Sequence, residues 1–157
     1  MTPHFTLSEF TASAKAAERG LDNSLPDALL PAAEATLEMM ERIRAILSEK
    51  AGHDIPINVS SGYRSPAVNM AVGSSSTSDH PKACAVDWTA PSFGTPAAIC
   101  KALAPFVSVL GIGQLILEFA DRPNGGWVHT STRLPSKALN RVITINSRGT
   151  SVGIKVA

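Results

Sequence analysis

Leu30, Ala33, Leu37, Met40, Ile43 and Leu47 recur at three- and four-residue intervals, and no other run constrains the fold as strongly. Glu34, Glu38, Glu41, Arg42 and Lys50 fall largely off that stripe, so the segment reads as an amphipathic helix with one face to bury. Pro26 suits its first turn and Gly52 its end. Upstream, residues 8–19 read as one short helix with Ser8 as cap and Gly20 as stop, and residues 22–26 as a turn.

Beyond Gly52 the pattern shortens. Residues 55–59 predict a strand, 66–72 a brief helix, 73–78 a polar loop and 83–89 a second strand. Thr95 caps a helix that runs to about Leu103, ahead of Pro105, and packs through Ile99 and Leu103. Residues 114–119, 127–132, 141–145 and, after the turn Ser147-Arg148-Gly149, 152–156 read as strands. Helices early and strands late predict an α+β domain with helices packed on a mainly antiparallel sheet. No repeat, linker or second domain is visible over residues 1–157.

A chain of 157 residues, 44% of them apolar, can bury a core without staples. Its formal charge of +1 argues against nucleic acid and anionic membrane as partners. Cys84 and Cys100 do not form a disulfide framework and are expected to be reduced and buried. The first residues lack a basic stretch followed by an apolar one, so no secretory signal is expected, and no apolar run approaches the roughly 20 residues of a membrane span.

Chemistry concentrates in His80, Asp87 and His129. Two imidazoles and a carboxylate suit zinc and leave a position for water, as hydrolysis requires. On a strand, Ala83, Ala85 and Asp87 share one face, while Cys84, Val86 and Trp88 take the other. Trp127, His129 and Ser131 likewise share a face. If the two strands are neighbours, His80, Asp87 and His129 converge. Singly, each has a plainer reading: a hydrogen-bonded histidine, or an aspartate closing a strand. His4 and His53 keep that plain reading.

The string Ser78-x-His80-x-x-Ala83-x-Ala85-x-Asp87, with the later Trp127-Val128-His129, resembles the zinc D-alanyl-D-alanine carboxypeptidase family, in particular its small phage and prophage members. Ser61-Gly62-Tyr63-Arg64-Ser65-Pro66, Val68-Asn69, the opening Phe5-Thr6-Leu7-Ser8-Glu9-Phe10 and Asp22-Asn23 extend the likeness from about Phe5 to Arg133. One departure is Ala83, where the family carries glycine. The resemblance implies a Hedgehog/DD-peptidase-like fold and a zinc ion on His80, Asp87 and His129 that activates water and polarises the scissile carbonyl.

Many relatives place a general base three residues before the last histidine, where this chain has Gly126. In Gln114-Leu115-Ile116-Leu117-Glu118-Phe119, the residues Gln114, Ile116 and Glu118 share a face, while Leu115, Leu117 and Phe119 face the core. The Gln-Leu-Ile-x-Glu string resembles the phage-type members, which implies Glu118 as the base, with Asp121 its competitor. Arg64 is expected to clamp a substrate carboxylate or stabilise the oxyanion, against a structural role in its loop. Tyr63, Ser78, Gln114 and Trp127 complete the expected substrate side, with Tyr63 and Trp127 open to simple packing roles and Ser78 to orienting His80. Asp79 is expected to face solvent.

The resemblance therefore implies a monomeric zinc peptidase acting on peptidoglycan stem peptides, as a D-Ala-D-Ala carboxypeptidase or an L-Ala-D-Glu type endopeptidase. Such a protein would be made in the bacterial cytoplasm and reach the wall after holin release or within a phage particle. The rival expectation is a catalytically inactive wall-binding or structural module that keeps the fold, with Gly126 its best support.

Overall fold

Six strands, β1 (Asn58–Ser61), β2 (Ala85–Thr89), β3 (Ile112–Glu118), β4 (Trp127–Thr132), β5 (Arg141–Asn146) and β6 (Gly149–Val152), form one sheet in the order β1-β2-β4-β3-β5-β6. The computed structural model describes residues 2–132 and 141–156, so Arg133, where the resemblance ends, lies outside the described residues. Every neighbouring pair is antiparallel except β3 and β5, which run parallel. The architecture is α+β with a mixed sheet. That parallel pair is the one departure from the antiparallel expectation.

The helices are α1 (Leu7–Thr11), α2 (Ala14–Arg19), α3 (Leu30–Ala51), α4 (Pro66–Ala71), α5 (Pro96–Leu103) and α6 (Val107–Leu110). In α3 the stripe is as the spacing requires: Ala33, Leu37, Met40, Ile43 and Leu47 are buried, and Thr36 and Met39 widen it. Leu30, at 36% exposure, drops out because it sits on the first turn. These side chains share a core with Val86, Trp88, Leu115, Leu117 and Val128 from the sheet. One face of the sheet is thereby committed to packing. A polar chain locks the two layers: the Trp88 indole N–H donates to Thr130 Oγ1 at 3.0 Å, and Thr130 donates to the Met40 sulfur at 3.5 Å.

Several local expectations change. Residues 8–19 are two helices, not one. Thr6, not Ser8, caps the first through a reciprocal capping box with Glu9, and Ser13 caps the second. Gly20 does close the second helix, in the left-handed conformation. The first strand begins at Asn58, because Ile55 is buried in the core instead of alternating along the sheet. The last strand is Gly149–Val152, earlier than the 152–156 expectation, since the turn pairs Asn146 directly with Gly149. Strand β2 begins at Ala85; Ala83 precedes it with φ 57°, in the left-handed region. Ala83 is therefore not on the strand face with Ala85 and Asp87. Its carbonyl accepts a hydrogen bond from Thr36 at 2.9 Å, fixing the approach to β2 against α3.

Candidate metal centre

Asp87 on β2 and His129 on β4 are direct cross-strand partners, and His129 is also the partner of Ile116 on β3. Directly opposed residues share a face. Ala85, Asp87, His129, Ser131, Gln114, Ile116, Glu118 and Trp127 accordingly line the face turned away from α3. His80 enters from outside the sheet, on a single 3-10 turn (His80–Lys82) just before β2.

The three side chains are buried, with 2% exposure at His80 and 7% at both Asp87 and His129. His129 Nδ1 lies 2.7 Å from Asp87 Oδ1, and His80 Nε2 lies 3.3 Å from Asp87 Oδ2. One ligand atom from each falls within 4.8 Å of the other two. His80 Nδ1 meets the Gly62 carbonyl at 2.6 Å, which makes Nδ1 the donor and leaves Nε2 as a lone pair aimed at the cluster. Two imidazole nitrogens and a carboxylate oxygen on one spot are the donor set that zinc takes in hydrolytic sites. The residues fit the ion.

The electrostatics of the cluster centre on the Asp87 carboxylate. Burial alone would push the Asp87 carboxyl up, but the neighbouring imidazoles of His80 and His129 outweigh it and hold it far below the usual range. Burial lowers His80 more than Asp87 raises it, which favours the neutral, ligating imidazole. At His129 burial also opposes protonation, yet its bond to Asp87 and the Asp87 charge prevail and raise it.

Arg64 is held by the same carboxylate. Its Nη2 donates to Asp87 Oδ2 at 2.5 Å and its Nε to Ser61 Oγ at 2.8 Å. The loop carrying it is pinned twice. Gly62 packs under Phe10, where any Cβ would overlap the Phe10 carbonyl and ring. Asn23 donates to the carbonyls of Thr11 and Tyr63 and accepts from the Ser65 N–H at 2.7 Å. The Asp22-Asn23 pair thus has a physical task that its sequence context did not reveal: it fastens the N-terminal helices to the Gly62-Tyr63-Arg64-Ser65 loop.

These groups open into a cavity of about 630 Å³, whose lining includes Arg64, Ser78, Gln114, Glu118, Trp127 and the three metal-site residues. Ser78 Oγ accepts from the His80 backbone N–H at 3.3 Å. Glu118 lies at the strand end with an oxygen 3.9 Å from His129 Nδ1, and burial raises its pKa above the ordinary value, only partly opposed by His129. Asp121 is elsewhere: it accepts from the Ser147 N–H and hydroxyl on the far side of the turn and lines a different, smaller hollow. Two other expectations are corrected. Tyr63 is 3% exposed and belongs to the core, so its side chain is not on the substrate side. Asp79 is 3% exposed and lines the cavity instead of facing solvent, because the turn over His80 folds it inward. Cys84 and Cys100 are both buried free thiols.

Phe119, which alternation places with Leu115 and Leu117 toward the core, instead lines the cavity, because its left-handed backbone breaks the alternation. It does so with Arg122 and Arg141, which no motif singles out. Phe119 has φ 51°, and the Arg122 guanidinium lies 3.6 Å from the centre of its ring. The only sequence signal was an aromatic and an arginine in a turn rich in Asp, Pro, Asn and Gly.

The model of a family described as Peptidase M15 matches residues 3–115. The matched span contains Arg64, His80 and Asp87 and ends before Glu118 and His129. No curated protein matches the chain. Among the described residues, no helix is long and apolar enough to cross a membrane.

Proposed function

The chain belongs to the peptidase M15 family, and from that premise we propose that it is a zinc peptidase hydrolysing peptide bonds in peptidoglycan stem peptides. The observation that carries this reading is the meeting of His80, Asp87 and His129 on one cavity floor with Glu118 beside them.

A zinc ion on His80, Asp87 and His129 supplies the Lewis acidity for water activation and carbonyl polarisation. Glu118 is the base in this reading. Its carboxylate takes a proton from the attacking water, whose oxygen bonds to the acyl carbon, and passes that proton to the departing amine. Partial burial supports the role by bringing its pKa closer to neutrality. Arg64, committed to Asp87 and Ser61, acts by holding the carboxylate in place. Gln114 and Trp127 flank the substrate along the sheet face, and Ser78 steadies His80.

Digestion of purified muropeptides followed by mass spectrometry tests the proposal, with turnover abolished by chelator, restored by zinc and absent in His80→Ala. A stem peptide lacking a free terminal carboxylate separates the two activities, since only an endopeptidase cuts it. Negligible zinc in the wild type and His80→Ala alike would overturn the reading.

A further inference from the structure

Arg64 and Arg122 both line the cavity, yet they are held in opposite ways. Arg64 spends the edge of its guanidinium on Asp87 and Ser61, and its side chain is 12% exposed. Arg122 is held by its face: its guanidinium carbon stands 3.6 Å from the Phe119 ring centre. Stacking uses the π surface and leaves the N–H fork along the edge able to bind a planar anion.

The support beneath Arg122 is built, not incidental. Phe119 packs on Trp127 with ring centres 5.4 Å apart, and both rings line the cavity. Phe119 takes up a left-handed backbone at φ 51°, a conformation that a bulky residue rarely adopts. Its N–H is tied to the Ile145 carbonyl at 2.8 Å, and the Arg122 N–H returns to the Phe119 carbonyl at 3.0 Å. The strained turn fixes the aromatic platform and the arginine as one unit, immediately after Glu118.

We propose that Arg122 is a specificity-determining residue that binds a carboxylate of the substrate through its guanidinium edge. This rests on the peptidase reading for the identity of the ligand. The carboxylate has two sources in a stem peptide, a terminal D-alanine or a D-glutamate, and Arg122 recognises their shared chemistry.

NMR titration of the zinc-loaded protein with N-acetyl-D-alanine and its amide, and with N-acetyl-D-glutamic acid and its diamide, tests this without turnover. The wild type is expected to bind at least one acid roughly tenfold or more tightly than its amide. Whichever acid shows the preference identifies the source. Arg122→Ala is expected to erase the preference while amide binding persists, and Arg122→Lys to recover part of it. No preference in the wild type, a preference that survives Arg122→Ala, or one lost only in Arg141→Ala overturns the proposal. Muropeptide digestion by the wild type in parallel keeps the two readings apart: turnover with no Arg122-dependent preference sinks the carboxylate proposal alone.

Discussion

Gly126 packs directly against the backbone carbonyl of Glu118, with φ +69° and no room for a Cβ. This relationship bears on the main doubt that the sequence raises. The position where the resemblance implies a glutamate is closed here by the chain's own backbone. The carboxylate facing His129 comes instead from Glu118, on the adjacent strand. Glycine at 126 is therefore a packing requirement of this arrangement.

Gly126→Ala should destabilise the protein by about 2 kcal/mol or more, through the left-handed backbone and the overlap with Glu118. Urea unfolding reads this directly. A loss below about 0.5 kcal/mol, the scale of an ordinary surface substitution, would show that the contact is relaxed in solution. Placing a glutamate at 126 in a Glu118→Gln background should not restore turnover.

Glu118→Gln should lower kcat by about two to four orders of magnitude while zinc content is unchanged. In metal-free protein the same variant should be more stable than wild type at pH 7. The folded-state pKa of Glu118 is raised, so its contribution to stability is full below the ordinary carboxylate range and lost as pH rises through the raised value. Glutamine removes that loss, and the difference between the two proteins should vanish near pH 3. Thermal unfolding in chelator at both pH values measures it. Wild-type stability equal to or greater than that of Glu118→Gln at pH 7 contradicts the burial argument.

Arg64→Ala should weaken zinc binding by about 10- to 100-fold, the usual effect of removing a group that orients a ligand. Arg64 holds one oxygen of Asp87 while His129 holds the other, so its loss frees the carboxylate to rotate. Arg64→Lys should recover only part of the affinity, since a lysine cannot bridge Ser61 and Asp87 together. Competition against a chromogenic chelator gives the affinities. Unchanged zinc affinity combined with a raised KM would instead put Arg64 on the substrate.

The α3 stripe was legible because helix period and burial are one physical fact, and alternation did the same for β4, whose bounds are those the sequence predicts. Alternation also assigns Asp87 and His129 each to a face. It cannot say that β2 and β4 are neighbours, because strand pairing is a long-range contact decided by the whole sheet. The Phe119–Arg122 platform was illegible for a related reason. It is built from a left-handed φ and a ring stack, neither of which leaves a periodic trace. Tyr63 misled because its neighbours Gly62 and Arg64 both serve the site, while its own side chain turns into the core.

Ala83→Gly should be close to neutral, and the reason is a balance of three terms. Ala83 stands at φ 57°, and relief of that conformation by glycine is worth about 1–2 kcal/mol. Against it, the Ala83 methyl is fully buried, and losing it costs about 0.8 kcal/mol. The greater freedom of glycine in the unfolded chain costs a further 0.4–1 kcal/mol or so. The sum lies within roughly 1 kcal/mol of zero. Alanine can thus stand where the resemblance implies glycine, without displacing the Thr36 bond to its carbonyl or the turn that presents His80. A β-branched residue has no such compensation: Ala83→Val meets both a tightly packed core and a left-handed backbone, and should cost about 3 kcal/mol or more. Denaturation midpoints of the two variants test the balance. A stabilisation above about 2 kcal/mol in Ala83→Gly would mean that the buried methyl contributes nothing and that the turn over His80 is strained in the native protein.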